Sequence, residues 1–414
     1  MRIAQSCESL IRIALLACKQ NEMKHVAITR LPQYNNIRQQ RVNGKRNKKM
    51  KHRERVQMAL EHEAPDRCPM QISFTPEFAD RLRSEMQLQG HQVHNPHGGG
   101  NTYALERALD QDLLLTSVGW ANSYYQEQET YVDEWGVGWR AHPYTTPFGV
   151  GHYTEMVIHP LAEDDVIERY TPPDPLRSEL YCDAERVVRE YGSEYWIVGV
   201  TVTTMFEAAW ALRGYEQMLV DLVVDPDLAE RILEIPYRYH LAAAQKLVEL
   251  GVDMIWIGDD IGTQRAMLFA PDTWRRLLKP RVANFIATLK HINPAIKVAY
   301  HSDGVITPII PDLIEIGLDV LNPIQPACMD PAEIKKRFGE HLCFWGSIDE
   351  QHTLPFGTAQ DVANEVRTRL ATLGANGGLI LGPTHHVQLD TPMANFWAMV
   401  DTIKQTPYIS GNHH

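Results

Sequence analysis

The sequence predicts an α/β protein built as a (β/α)8 TIM barrel in a single domain. Eight short apolar runs alternate with helical stretches over about 360 residues, the element order of a parallel barrel. Five successive runs in the second half are each followed by small residues and polar groups, the layout of a site built on strand ends. The rival architecture, an open doubly wound sheet, is disfavoured because no G-x-G-x-x-G follows the first run.

Residues 1–50 hold 11 Lys and Arg against Glu8 and Glu22, a net +9, whereas the remaining 364 residues carry −21. The basic run Arg38 to Lys51 reads as a solvated tail rather than a nucleic-acid surface. Arg12 interrupts the apolar patch Leu10 to Cys18, and no small-residue cleavage pattern follows, so it reads as neither signal peptide nor membrane anchor. Residues 1–49 are therefore expected to be a basic, disordered extension or a mis-assigned start, with Met50 the alternative beginning. Residues 50–407 are expected to form the barrel and 408–414 a tail.

A helix-like segment, a turn and a first strand follow Met50. The expected strands are Cys68 to Ser73, Leu113 to Val118, Trp196 to Val202, Met254 to Ile257, Lys297 to Tyr300, Val320 to Asn322, Leu342 to Trp345 and Leu379 to Leu381. Between the later ones, Pro226 to Leu250, Pro271 to Ile292, Pro308 to Ile316, Pro331 to Phe338 and Ala359 to Leu373 have helical spacing. Several open with Pro in the first turn and Asp or Thr beside it. Composition is ordinary for a globular enzyme-sized chain, 44% hydrophobic and 22% charged. Six Cys without CxxC spacing, in a chain too long to need disulfide staples, point to a reducing cytoplasm. The loop holding His91, His94, His97 and Gly98 to Gly100 reads as an exposed connection rather than a metal or dinucleotide site.

The strand ends carry the chemistry. They offer Gly258-Asp259-Asp260, His301-Ser302-Asp303, Asn322-Pro323-Ile324-Gln325, Gly346-Ser347-Ile348-Asp349 and Gly382-Pro383-Thr384-His385-His386. A structural turn needs only its Gly or Pro, so polar groups on five successive ends imply convergence on one mouth. His301, Asp303 and His385 make a two-nitrogen, one-oxygen set suited to zinc, with His386 able to exchange roles with its neighbour. Three protein ligands leave an open position for a substrate oxygen. The alternative is that His301 and Asp303 bond each other and fix the turn.

From Met50 to about Thr406 the chain resembles the uroporphyrinogen decarboxylase superfamily, and within it the corrinoid-dependent methyltransferases. The resemblance rests on ordered motifs: HRERVQMALEHEAPDRCPM, FEAAWALRGYEQMLVDLVVDP, WIGDDIGTQ, VAYHSDGVITPIIPDLIEIGLDVLNPIQP, FWGSIDEQHTLPFGT and GGLILGPTHHVQLDTP. It implies a (β/α)8 barrel with its cleft at the C-terminal strand ends. Resemblance to the methylcobamide:thiol methyltransferases also implies zinc on an H-x-C motif plus a later Cys. Here His301 matches the His, Asp303 stands where the first Cys would be, and His385 replaces the second. Nitrogen and oxygen ligands leave zinc harder and more electrophilic than two thiolates do, which favours polarising an oxygen.

The decarboxylase itself would need Arg residues for a polycarboxylated porphyrinogen, but the family's R-Q-A-G-R-Y motif is replaced by Met70 to Pro76. The expected activity is therefore transfer of a methyl group from a small donor, for instance an O-methylated aromatic, to cobalt of a corrinoid on a separate protein. No D-x-H-x-x-G signature places the corrinoid on this chain. Asp259, Asp260 and Glu207 are the candidates for orienting substrate or handling protons, and Gln325 and His386 for substrate contact. Each has a plainer reading as a cap or turn pin. Trp120, Tyr124, Tyr125, Tyr131, Trp135 and Trp139 would either wall an aromatic donor or form core and cross-strand pairs of a hairpin. The rival functions are a decarboxylase-type carboxy-lyase and a binding barrel without turnover. No nucleic acid or membrane partner is expected.

Overall fold

A computed structural model describes residues 50–88, 102–118 and 130–408. The expectations for residues 1–49, the His91–Gly100 loop, Trp120, Tyr124, Tyr125 and the tail beyond Tyr408 lie outside these. The strands are β1 (Leu113–Ser117), β2 (Thr130–Val132), β3 (Gly138–Thr146), β4 (Gly149–Ile158), β5 (Trp196–Val200), β6 (Met254–Gly258), β7 (Lys297–His301), β8 (Val320–Asn322), β9 (Cys343–Ile348) and β10 (Leu379–Pro383). β1 and β5 to β10 form one parallel sheet in chain order, with helices between successive strands, as a TIM barrel requires.

The eighth stave is irregular. Cys68 to Ser73, expected as a strand, is extended but makes isolated bridges only: Gln71 N donates to Leu381 O at 3.1 Å, Leu381 N to Pro69 O at 2.8 Å and Asp112 N to Met70 O at 2.9 Å. Pro69 has no N–H, which interrupts a regular ladder. Side chains replace the missing bonds. Gln111 accepts from Ile72 N at 2.7 Å and donates to Ile72 O at 3.1 Å, and Asp112 takes Met70 N at 2.8 Å. The segment thus closes the barrel between β10 and β1.

One apolar core lies between sheet and helices, and a second fills the barrel. The helix His52–Leu60 plugs the N-terminal end, placing Val56 and Leu60 among Leu113, Val198, Met254, Ala299 and Trp345. Beneath it the fully buried Asp112 receives Arg55 and Arg67, each at 2.6 Å, and His52 at 2.8 Å. A buried carboxylate is tolerated there because every oxygen is paired. Charges of the HRERVQMAL motif are accordingly structural, at the end of the barrel opposite the polar loops.

Helix starts follow their expected signals. Asp225 caps Pro226–Leu250 through Leu228 N, and Asp330 caps Pro331–Phe338 through Ala332 N. The stretch expected as one helix from Pro271 to Ile292 is two, Pro271–Leu277 and Lys279–Ile292, because Pro280 lacks the N–H that would continue the first. The antiparallel meander β2-β3-β4 realises the hairpin alternative of the sequence reading and adds a third strand that was not expected. Tyr131 pairs with Trp139 across it, and Tyr131, Trp135 and Trp139 are buried, so these aromatics are hairpin and core. No helix among the described residues is long and apolar enough to cross a membrane.

Candidate metal and substrate site at the barrel mouth

The site begins with a glycine. At Gly258, which ends β6 with φ of 138°, a side chain would strike the backbone of His301. That close approach lets Asp259 N donate to His301 O at 3.1 Å and sets two acidic residues against the end of β7. Asp259 is fully buried and turns away from the mouth: its Oδ1 accepts from Met205 N at 2.9 Å and Glu207 N at 3.0 Å, capping the helix Phe206–Arg213. Asp260 faces the other way. Its Oδ1 accepts from Asp303 N at 2.7 Å and lies 3.5 Å from His301 Nε2, while its own N donates to Glu207 Oε2 at 3.1 Å.

His301 is held by β8. Its Nδ1 meets Asn322 Oδ1 at 2.7 Å, and Asn322 Nδ2 donates to Trp345 O at 3.1 Å. The second bond orients the amide so that its oxygen faces the ring, which makes Nδ1 the donor and leaves the Nε2 lone pair free. His301 therefore partners Asn322, where the plainer sequence reading had paired it with Asp303. Gln325 is buried, and its Oε1 accepts from Gly304 N at 2.6 Å, pinning the turn after Asp303. His385 and His386 are solvent-reachable in the recess after β10, their ring centroids 4.8 Å apart.

His301, Asp303 and His385 each present one ligand atom, all within 4.8 Å of one another. Ligands about 2.0–2.2 Å from a common zinc sit roughly 3.5 Å apart, so modest side-chain adjustment would close the set. Asp303 Oδ1 is buried without a hydrogen-bond partner. An oriented imidazole and an orphaned carboxylate oxygen are what a cation site needs, and the residues fit one.

Electrostatics agree. Burial, then the neighbouring Asp260 charge, push Asp303 up to about 7. Burial raises Asp259 to about 6 against the pull of its backbone donors, and lifts Glu207 well above the usual carboxylate range. Crowding by protein and then the neighbouring imidazoles lower His385 and His386, which favours neutral rings able to ligate at ordinary pH. Glu350 was missed by sequence reasoning. It lies just past β9, accepts a bond from the His385 backbone, and is raised well above its usual range by burial and then by Asp303, Asp390 and Asp349. The signal was present: Glu350 adjoins Asp349 in the GSIDE end of the ninth strand.

The chain matches the uroporphyrinogen decarboxylase (URO-D) family model over residues 150–406. A methylcobamide:CoM methyltransferase MtaA from Methanosarcina barkeri is 29% identical over 175 residues, covering 42% of this chain and 48% of the relative. A second MtaA, from the Fusaro strain of that species, is 27% identical over the same shares. The matched segment spans about half the length of these curated relatives. A solved methyltransferase from Methanosarcina mazei shares the fold, with a TM-score of 0.64 and 19% identity over 86% of this chain and 99% of that one. The parallel barrel and the family match agree: the chain belongs to the uroporphyrinogen decarboxylase (URO-D) family.

Proposed function

We propose that this protein moves a methyl group from a small donor, such as an O-methylated aromatic, to the cobalt of a corrinoid carried by a separate protein. The observation that supports this most is the His301, Asp303 and His385 set with its unpartnered Asp303 oxygen, open at the barrel mouth. Those three residues would hold zinc, which when bound supplies a Lewis acid for the donor oxygen. Asn322 holds the His301 ring in register. Asp260 fixes the Asp303 backbone and, with Glu207, is placed to orient the donor, and His386 borders the same recess. Asp259 serves by shaping the loop that carries Asp260 and Glu207.

The direction of transfer follows from the ligand types. The relatives are named for methylcobamide and CoM, a thiol acceptor. Here nitrogen and oxygen donors favour a hard oxygen substrate over a thiolate. A polycarboxylated tetrapyrrole suits the mouth poorly, because Asp260, Asp303 and Glu350 would face its carboxylates.

The test measures zinc content of the purified protein beside Asp303→Ala and His385→Ala, then methyl transfer from aryl methyl ethers to a reduced corrinoid protein. Near-stoichiometric zinc lost in both variants, together with cobalt methylation by the parent, is the expected result. A parent that takes up no zinc on reconstitution and methylates no corrinoid would leave a binding barrel without turnover.

A further inference from the structure

The barrel mouth gathers acidic side chains that no lysine or arginine among the described residues meets. Among the described residues, Glu207, Asp260, Asp303 and Glu350 make no ion pair with Lys or Arg, and the neutral His301 ring stands 3.5 Å from Asp260. Elsewhere the chain pairs its acids closely, as Asp112 with two arginines and Asp312 with Arg275 and Lys279. The internal stretches 89–101 and 119–129, outside the described residues, contain no Lys or Arg either.

Independently of these acids, further polar groups at the same strand ends are left unmet. Ser347, 1% exposed at the end of β9, and Thr384, 3% exposed beside His385, carry hydroxyls that no protein group meets. The buried Glu350 Oε2 also has no partner. Trp256, partly exposed on β6, lies tilted against Trp345 with centroids 4.6 Å apart and edge-on to His301 at 5.5 Å, bringing an electron-rich indole to the floor. Acids, orphan hydroxyls and an indole, without a basic group, make a site for an organic cation.

We infer that the substrate of this mouth is a small methylated compound bearing an ammonium group, held by Asp260 and Glu350 above Trp256. The inference rests on the methyltransferase reading and narrows its donor. Neutral aryl methyl ethers and anionic methoxybenzoates lack the charge that the mouth complements.

The experiment is calorimetric titration of the zinc-saturated protein with choline, with its uncharged isostere carrying tert-butyl in place of trimethylammonium, and with methoxybenzoate. Choline is expected to bind at least about tenfold tighter than the isostere. That preference should fall several-fold in Asp260→Asn and Glu350→Gln, which keep an oxygen acceptor while removing the acid. Equal binding of the isostere, or tighter binding of methoxybenzoate, would overturn the inference. A corrinoid methylation assay with the methyl ethers of choline and of the isostere, and with methoxybenzoate, separates the two claims. Cobalt methylated from methoxybenzoate alone keeps the methyltransferase and removes the cationic donor. Choline preference with no donor methylating cobalt removes the methyltransferase, and the donor assignment with it.

Discussion

Asn322 decides what His301 can do, although it touches no expected ligand atom beyond that ring. Its amide is fixed at one end by the Trp345 carbonyl at 3.1 Å, so the other end presents an acceptor to Nδ1 at 2.7 Å. Asn322→Leu removes the bond that selects the tautomer, and zinc affinity is expected to fall about 10–100-fold, as for other partners of metal-ligating histidines. Asn322→Asp keeps the acceptor and should retain most of that affinity. Competition against a chelator reads both; equal loss in the two variants would mean the amide acts only as packing. His301 and Asp303 were visible from their place after an apolar run. Asn322's role was not, since a bond between adjacent strands 21 residues apart leaves no local pattern.

At the scale of elements, the acids Asp259 and Asp260 are consecutive in sequence and opposite in role. Asp259 turns inward to cap Phe206–Arg213, and Asp260 turns outward to the mouth. Asp259→Ala would leave two buried backbone donors unmet and is expected to destabilise the fold by about 2–4 kcal/mol. Asp259→Asn, retaining an acceptor oxygen, should lose less than half of that. Denaturant titration distinguishes them, and an alanine variant as stable as the parent would show that the cap carries no weight. Pro-led helices were legible because proline and a capping Asp act locally. The meander's third strand was not, because Tyr131 and Trp139 form strands only through pairing across the sheet, with Trp135 in the turn between them packed on Tyr239. The irregular stave Cys68 to Ser73 was legible as an extended run, but its bonding to the Gln111 and Asp112 side chains depends on the closed barrel.

For the whole molecule, the barrel separates two clusters of charge by function. At the bottom Asp112 is satisfied by Arg55, Arg67 and His52 and stabilises the fold; at the mouth Asp303 is kept unsatisfied. The alternation of runs and helices revealed this polarity in the sequence, since strand direction alone assigns one end to the site. It did not reveal the missing counter-charge, which needs the three-dimensional neighbourhood of each acid. The consequence is a pH dependence opposite to that of a paired carboxylate. Asp303 is raised from 3.8 to about 7, so in the metal-free protein its contribution to stability is full below about pH 4 and is lost as pH rises through 7. His385 is shifted the other way, downward, which favours its neutral ligating form. Zinc binding should therefore be limited by deprotonation of Asp303 rather than of histidine. The zinc-induced rise in Tm is expected to be large above pH 7 and to shrink steadily toward pH 5. In Asp303→Asn, whose amide has no such proton to lose, the rise should be smaller but nearly flat with pH. Thermal unfolding with and without zinc across that range tests this; the same slope in parent and variant would assign the titration to another group and remove Asp303 from the metal set.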